Sequence, residues 1–236
     1  MNFKKEGFVN SQARNLAFLQ PGNSLISEQY RIIRTNIMFS NVDSDIQSVL
    51  FTSEMPGAGK STTAANVAAA FAQAGKRTVL VDADLRRPTS HYTFGLSNQS
   101  GLTTGIVNQL PLEEIIKHTS VENLDLVTSG PVPPNPSELL SSVKMVQLLK
   151  ELKSHYDMII VDSPPVLAVT DAQILSKHTD GTVIVTDVKN NNVHRLKEAK
   201  QLLEKTDAKI LGVVLNNVNM KKESKNNYHY YGSDDR

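Results

Sequence analysis

Short runs of β-branched and aliphatic residues recur from Gln47 onward, separated by stretches whose apolar positions repeat at helical spacing. Runs that are apolar without alternation are buried on both faces. Their alternation with helices predicts a mostly parallel sheet covered on both sides, an α/β fold. The predicted strands are SVLFTS (48–53), TVLVDA (78–83), LDLVTS (124–129), MIIVDS (158–163), GTVIVTD (181–187) and ILGVVLN (210–216). Helices are expected at 60–74, about 136–153, about 170–178 and about 193–205. Ahead of this core, residues 24–40 place Ile26, Tyr30, Ile33 and Ile37 at spacings of four, three and four, one apolar stripe on a helix.

The pattern divides the chain into an arm at 1–23, a single domain at 24–218 and a tail at 219–236. The arm has weak periodicity and a Pro21-Gly22 turn signal. The tail is polar and poor in aliphatic residues, so it cannot bury enough apolar area to order itself and is expected to be disordered. A length of 236 residues suits one medium-sized domain. With 39% hydrophobic and 21% charged residues, wholesale disorder and fibrous classes are excluded.

Charge and cysteine usage narrow the chemistry further. The 25 basic and 24 acidic residues leave a net charge of +1, so nothing global favours nucleic acid or an anionic membrane. The absence of cysteine removes thiol catalysis, disulfides and thiolate metal sites, leaving phosphate chemistry and oxygen-ligated metals. The first twenty residues lack the apolar stretch of a secretory signal, and no run reaches the roughly 20 apolar residues of a membrane span, so the expected location is cytoplasmic.

The strand at 48–53 runs into Glu54-Met55-Pro56-Gly57-Ala58-Gly59-Lys60-Ser61-Thr62 and then an Ala-rich helix, the strand–loop–helix order of a P-loop. Gly57 and Gly59 let backbone N–H groups turn inward around phosphates, and the helix N-terminus adds its positive end. Lys60 is expected to reach the outer phosphates and Ser61 to ligate Mg²⁺. Glu54 departs from the pattern, standing where the first glycine of the motif belongs.

Two further acidic elements close two other strands: Asp82 and Asp84, two apart and so facing one way if the strand continues, and Asp162, placed as a Walker B carboxylate. Ligands of open parallel sheets sit beyond the carboxyl ends of the strands, so all three are expected to converge on the P-loop. Without a cation they would repel a triphosphate, which implies Mg²⁺.

These motifs resemble those of the bacterial tyrosine kinases of the capsule and exopolysaccharide type, in the Gram-positive form whose kinase is a separate soluble chain. The resemblance rests on PGAGKST (56–62), VLVDADLR (79–86), MIIVDSPP (158–165), Glu28-x-x-Arg31-x-x-Arg34 and the terminal Tyr228, Tyr230 and Tyr231. It implies a P-loop NTPase fold of the partition and division-site ATPase kind, with ATP and Mg²⁺ as cofactors. Pro56, Gly57, Ala58, Gly59, Lys60, Ser61 and Thr62 would hold the nucleotide. Ser61, Asp84 and Asp162 would serve the metal. Asp82, Lys60 and Asp84 would be the catalytic set, acting on the three tail tyrosines. Glu28, Arg31 and Arg34 would join copies into a ring, within which the tail is phosphorylated in trans.

The implied partners are further copies of the chain, the cytoplasmic tail of a separate membrane activator that recruits the kinase to the inner face of the cell membrane, a cognate tyrosine phosphatase and other protein substrates. Nucleic acid is not among them. The alternative is a partition-type ATPase switch without kinase activity, whose signature lysine is replaced here by Met55.

Physical chemistry qualifies two of these roles. Complete proton transfer from tyrosine, with a pKa near 10, to a carboxylate near 4 is uphill by roughly 8 kcal/mol, so Asp82 is better described as an orienting acceptor. On a helical wheel Glu28, Arg31 and Arg34 face away from the apolar stripe. Periodicity alone favours intrahelical Glu28–Arg31 pairing on a solvated face, worth about 0.2–0.5 kcal/mol, and it is the resemblance that turns the balance to joining subunits. The tail has the reach for its role. The segment from Asn216 to Tyr228 spans roughly 40 Å when stretched. Phosphorylating all three tyrosines would add about −5 to a nearly neutral chain.

Overall fold

The computed structural model describes residues 16–17, 25–40, 45–190 and 192–218. The expected tail, with Tyr228, Tyr230 and Tyr231, lies outside the described residues, as does most of the expected arm. In chain order the elements are α1 (Leu25–Phe39), β1 (Ser48–Ser53), α2 (Lys60–Gln73), β2 (Thr78–Asp82), α3 (Ser90–Phe94), α4 (Leu102–Asn108), α5 (Leu112–Ile115) and β3 (Ile116–His118). They continue as β4 (Leu124–Val127), α6 (Pro136–Leu140), α7 (Val143–His155), β5 (Met158–Asp162), α8 (Asp171–Ser176), β6 (Gly181–Asp187), α9 (Val193–Glu204) and β7 (Ile210–Asn216).

The seven strands form one sheet in the order β3-β4-β2-β5-β1-β6-β7, parallel except for the β3–β4 pair. Every residue of β1, β2, β5 and β6 is buried, as strands covered on both faces require. Alternate residues feed two cores. Leu50, Val79, Val81, Ile159 and Val161 face the side covered by α4, α7, α8 and α9, whereas Val49, Phe51, Leu80 and Ile160 face α1 and α2. Six alanines and Phe71 of α2 are at most 1% exposed, so the P-loop helix lies close against the sheet and carries the loop on a rigid base.

All six predicted strands are present. β2 stops at Asp82, so Asp84 leaves the strand and the two carboxylates do not share one strand face. The single helix expected at about 136–153 is two: Ser142 Oγ accepts the N–H of Met145 and starts α7 afresh after α6. The short α3, α4, α5 and β3 carry too few residues to show periodicity, and none was expected. On α1 the stripe is graded: Ile37 is buried, Tyr30 and Ile33 are half-buried, and Ile26 is exposed at the edge of a cavity. Among the described residues no helix is long and apolar enough to cross a membrane.

Candidate active site

The P-loop sits where β1 meets α2, at the carboxyl ends of the strands. Gly57 and Gly59 have φ of 82° and 90°, and a Cβ on Gly59 would run into the side-chain amide of Asn216. That amide donates to the carbonyl of Ala58 at 2.9 Å, so the end of β7 braces the loop. Glu54 does not face the phosphate cradle. It is buried, with Oε1 accepting from the hydroxyl of Thr186 on β6 at 2.7 Å and Oε2 unpartnered among the described residues.

Parallel register brings the acidic residues together: Asp162 at the end of β5 is the register partner of both Asp82 on β2 and Phe51 on β1. Lys60 Nζ donates to Asp84 Oδ2 at 2.7 Å, to Asp162 Oδ1 at 3.3 Å and to Ser61 Oγ at 3.1 Å. Burial alone would push the Lys60 pKa down, but the charges of Asp162 and Asp84 outweigh it and the net direction is up. Asp162 is raised chiefly by burial, despite the opposing charge of Lys60, and its Oδ2 has no partner among the described residues.

Asp82 is placed differently. It has no solvent exposure, its Oδ2 accepts the N–H groups of Thr89 and Ser90 at 3.1 and 2.9 Å, and so it caps α3. Its Oδ1 is unpartnered among the described residues, and burial together with the Asp162 charge raises its pKa to about 7. The three carboxylates therefore gather as expected, but only Asp84 and Asp162 touch Lys60; Asp82 acts on it through charge.

A cavity of about 570 Å³ opens on this cluster. Lys60, Ser61, Asp84, Arg86, Pro164 and Pro165 are among the residues that line it. A second cavity of about 810 Å³ lies between α1, α2 and β7, and Thr62 borders both. Among the described residues no group of three carboxylate or imidazole side chains is arranged to hold a metal unaided. Mg²⁺ binds through one or two carboxylates and keeps its remaining positions for water and phosphate oxygens. Ser61, Asp84 and the unpartnered Asp162 Oδ2 supply hard oxygen donors of that kind.

The charged residues of α1 are engaged within the chain. Arg31 pairs with Glu28 at 2.9 Å, and Arg34 Nη1 donates to the carbonyl of Ala70 on α2 at 3.0 Å. Sequence reasoning assigned no role to Arg86, Ser137, Asp171 or Asn216. Arg86 stood inside the aspartate box, and the others carry no motif of their own.

The AAA domain family model (AAA_31) matches residues 46–212. The putative tyrosine-protein kinase CapB of Staphylococcus aureus is 48% identical over 211 residues, covering 89% of this chain and 92% of that protein. The tyrosine-protein kinase YwqD of Bacillus subtilis is 47% identical over 222 residues, covering 94% and 93%. Among solved structures, the chimerical protein CapA2B2 superposes with a TM-score of 0.82 at 50% identity, covering 86% of this chain and 89% of that one. The septum site-determining protein MinD of Pyrococcus horikoshii, complexed with Mg-ADP, superposes with a TM-score of 0.61 at 25% identity, covering 72% and 69%.

Proposed function

This chain belongs to the bacterial tyrosine-protein kinases built on an AAA domain, and we propose that it phosphorylates its own Tyr228, Tyr230 and Tyr231 in trans, between copies joined in a ring. The kinase reaction forms a bond between the tyrosine oxygen and the terminal phosphorus of ATP, breaks the bond from that phosphorus to ADP, and releases the phenolic proton. The observation that carries the site assignment is Lys60 Nζ, held between Asp84 and Asp162 at the P-loop.

In this reading the amides from Gly57 to Thr62 cradle the phosphates, and Lys60 exchanges its carboxylate partners for the outer phosphate oxygens. Asp84, Asp162 and Ser61 would hold Mg²⁺, which when bound neutralises phosphate charge; the complex of MinD with Mg-ADP supports this choice of metal. The larger cavity, which shares Thr62 with the phosphate cavity, offers room for the nucleoside end of ATP. Asp82 Oδ1, unpartnered among the described residues, is the oxygen that would receive the tyrosine hydroxyl while Oδ2 keeps the Thr89 and Ser90 amides. With those amide bonds in place its pKa is raised to about 7, which suits an acceptor better than an ordinary carboxylate.

Ring assembly through Glu28, Arg31 and Arg34 requires these side chains to trade their internal partners for those of a neighbour, and the exposed Glu28–Arg31 pair is weak enough to allow it. The reading extends to control of capsular or exopolysaccharide synthesis. A membrane protein's cytoplasmic tail would hold the kinase at the inner face of the membrane, and a tyrosine phosphatase would reverse the modification.

A mixing experiment tests the proposal. A Lys60→Met chain, which keeps its tyrosines, is combined with a chain in which Tyr228, Tyr230 and Tyr231 are phenylalanine, and both are given labelled ATP and Mg²⁺. Alkali-stable label is expected on the Lys60→Met chain alone. Label confined to the phenylalanine chain, or none on the Lys60→Met tail, would overturn the assignment.

A further inference from the structure

Arg86 is held by three hydrogen bonds to side chains of two other segments. Its Nε donates to Asp171 Oδ2 at 2.9 Å, and its Nη2 donates to Asp171 Oδ1 at 3.0 Å and to Ser137 Oγ at 2.9 Å. The Ser137 hydroxyl in turn donates to Asp171 Oδ1 at 2.7 Å. Two separate segments, the first turn of α6 and the first residue of α8, thus converge on a guanidinium carried by the loop after β2. The Asp171 side chain is fully buried, and Arg86, itself about a third exposed, is the cation that pairs with it, so Arg86 cannot leave without stranding a buried charge.

Side-on pairing through Nε and Nη2 leaves the Nη1 edge free, and Nη1 has no hydrogen-bond partner among the described residues. Arg86 lines the same cavity as Lys60, Ser61 and Asp84, and it feels the charge of Asp84. A guanidinium fixed in advance, with two N–H donors left over, is suited to a phosphate oxygen, because its orientation costs nothing at the moment charge develops. The cavity already holds Lys60 and the P-loop residues Gly57 and Gly59. Arg86 lines that cavity too, from the end of the aspartate box.

We propose that Arg86 is a further catalytic residue of the kinase reaction, its Nη1 edge binding the phosphoryl group as it passes from nucleotide to acceptor, and that Asp171 and Ser137 are the positioning residues that hold it. The proposal rests on the kinase reading above. Arg86 exchanges no proton: the bond made is tyrosine oxygen to phosphorus, the bond broken is phosphorus to the ADP oxygen, and the phenolic proton leaves independently of the guanidinium. Asp171 never meets the substrate, and its contribution is the angle and the persistence of Arg86.

The test uses the full chain with ATP and Mg²⁺, comparing wild type with Arg86→Lys, Arg86→Ala, Asp171→Asn and Ser137→Ala. Arg86→Lys keeps the charge but loses the two-point grip. It is expected to lower kcat by about 10²–10³-fold, while KM for ATP and the affinity for ADP stay within about threefold of wild type, as they do when a contact made only in the transition state is lost. Asp171→Asn is expected to follow the same pattern. Ser137→Ala, which removes one hydroxyl from the shell, should cost about tenfold in kcat or less. Added guanidinium ion is expected to restore part of the activity of Arg86→Ala.

Wild-type kcat in Arg86→Lys would overturn the proposal. So would a loss in every variant that merely follows falling ADP affinity or melting temperature, since that marks a structural ion pair. If Asp171→Asn fails to fold, the Arg86 variants and the guanidinium rescue decide alone. A wild-type chain that places no phosphate on tyrosine would instead refute the autophosphorylation reading, so the two failures are distinct.

Discussion

The two ends of the sheet use aspartate in opposite ways. At the amino ends of the strands, Asp180 Oδ2 accepts the N–H groups of Gln47 and Ser48 and the Ser48 hydroxyl at 3.1, 2.8 and 2.9 Å, and Oδ1 takes Lys153 Nζ at 2.7 Å. Burial works against this carboxylate, but its bonds to Lys153 and Ser48 outweigh it and the pKa is lowered. At the carboxyl ends, Asp82 and Asp162 each keep one buried oxygen without a partner among the described residues, and both pKa values are raised. A satisfied carboxylate stabilises the fold; an unsatisfied one stores affinity for a ligand that is positively charged or donates hydrogen bonds. One sheet thus spends stability at its functional end and recovers it at the other.

The sharpest way to break this contrast is Asp82→Asn. A raised Asp makes the folded state bind more protons than the unfolded chain between about pH 4 and pH 7, so stability falls as pH rises through that window. The variant lacks this penalty and keeps an oxygen for the Thr89 and Ser90 amides. Urea denaturation at pH 8 should find it more stable than wild type by on the order of 4 kcal/mol, with the gap closing toward pH 4. Equal stability at both pH values would show that Asp82 is not held at a cost.

Asp180→Asn probes the other end with the opposite sign. A lowered Asp contributes stability above its unfolded value, near 3.8, and loses it as the pH falls. The variant should be about 2 kcal/mol less stable than wild type at pH 7, and the difference should narrow below about pH 4. The smallest effect is expected for Arg77→Met. Asp157 draws its lowered pKa first from the backbone N–H of Arg77, at 2.8 Å, and only then from an exposed side-chain contact at 3.4 Å. The substitution keeps the backbone bond, so scanning calorimetry should find no measurable change in melting temperature. A clear drop would mean that exposed ion pairs share the work at the amino ends.

Much of the site was legible before folding because its chemistry is local. Gly57, Gly59, Lys60 and Ser61 are adjacent, and their strand–loop–helix setting appears as a change in apolar period. Asp82 and Asp162 were readable as strand ends. Their different environments were not, since Asp82 owes its burial and its amide partners to the turn into α3, a helix of five residues. The Arg86–Ser137–Asp171 cluster was invisible for a related reason: its members are 34 to 85 residues apart and meet only across packed helices.

The sequence by itself determined the layered α/β plan, the order of strands and helices along the chain, and the phosphate loop, because each depends on apolar period, glycine placement and neighbouring residue types. Strand order within the sheet, the meeting of Lys60 with Asp84 and Asp162, and the confinement of Asp82 behind them were decided only by the tertiary structure. Parallel pairing of β2, β5 and β1 sets residues about 80 and 110 positions apart side by side in a dry interior. There the cost of burying charge, which no linear pattern encodes, chooses which carboxylate is paired and which is left waiting.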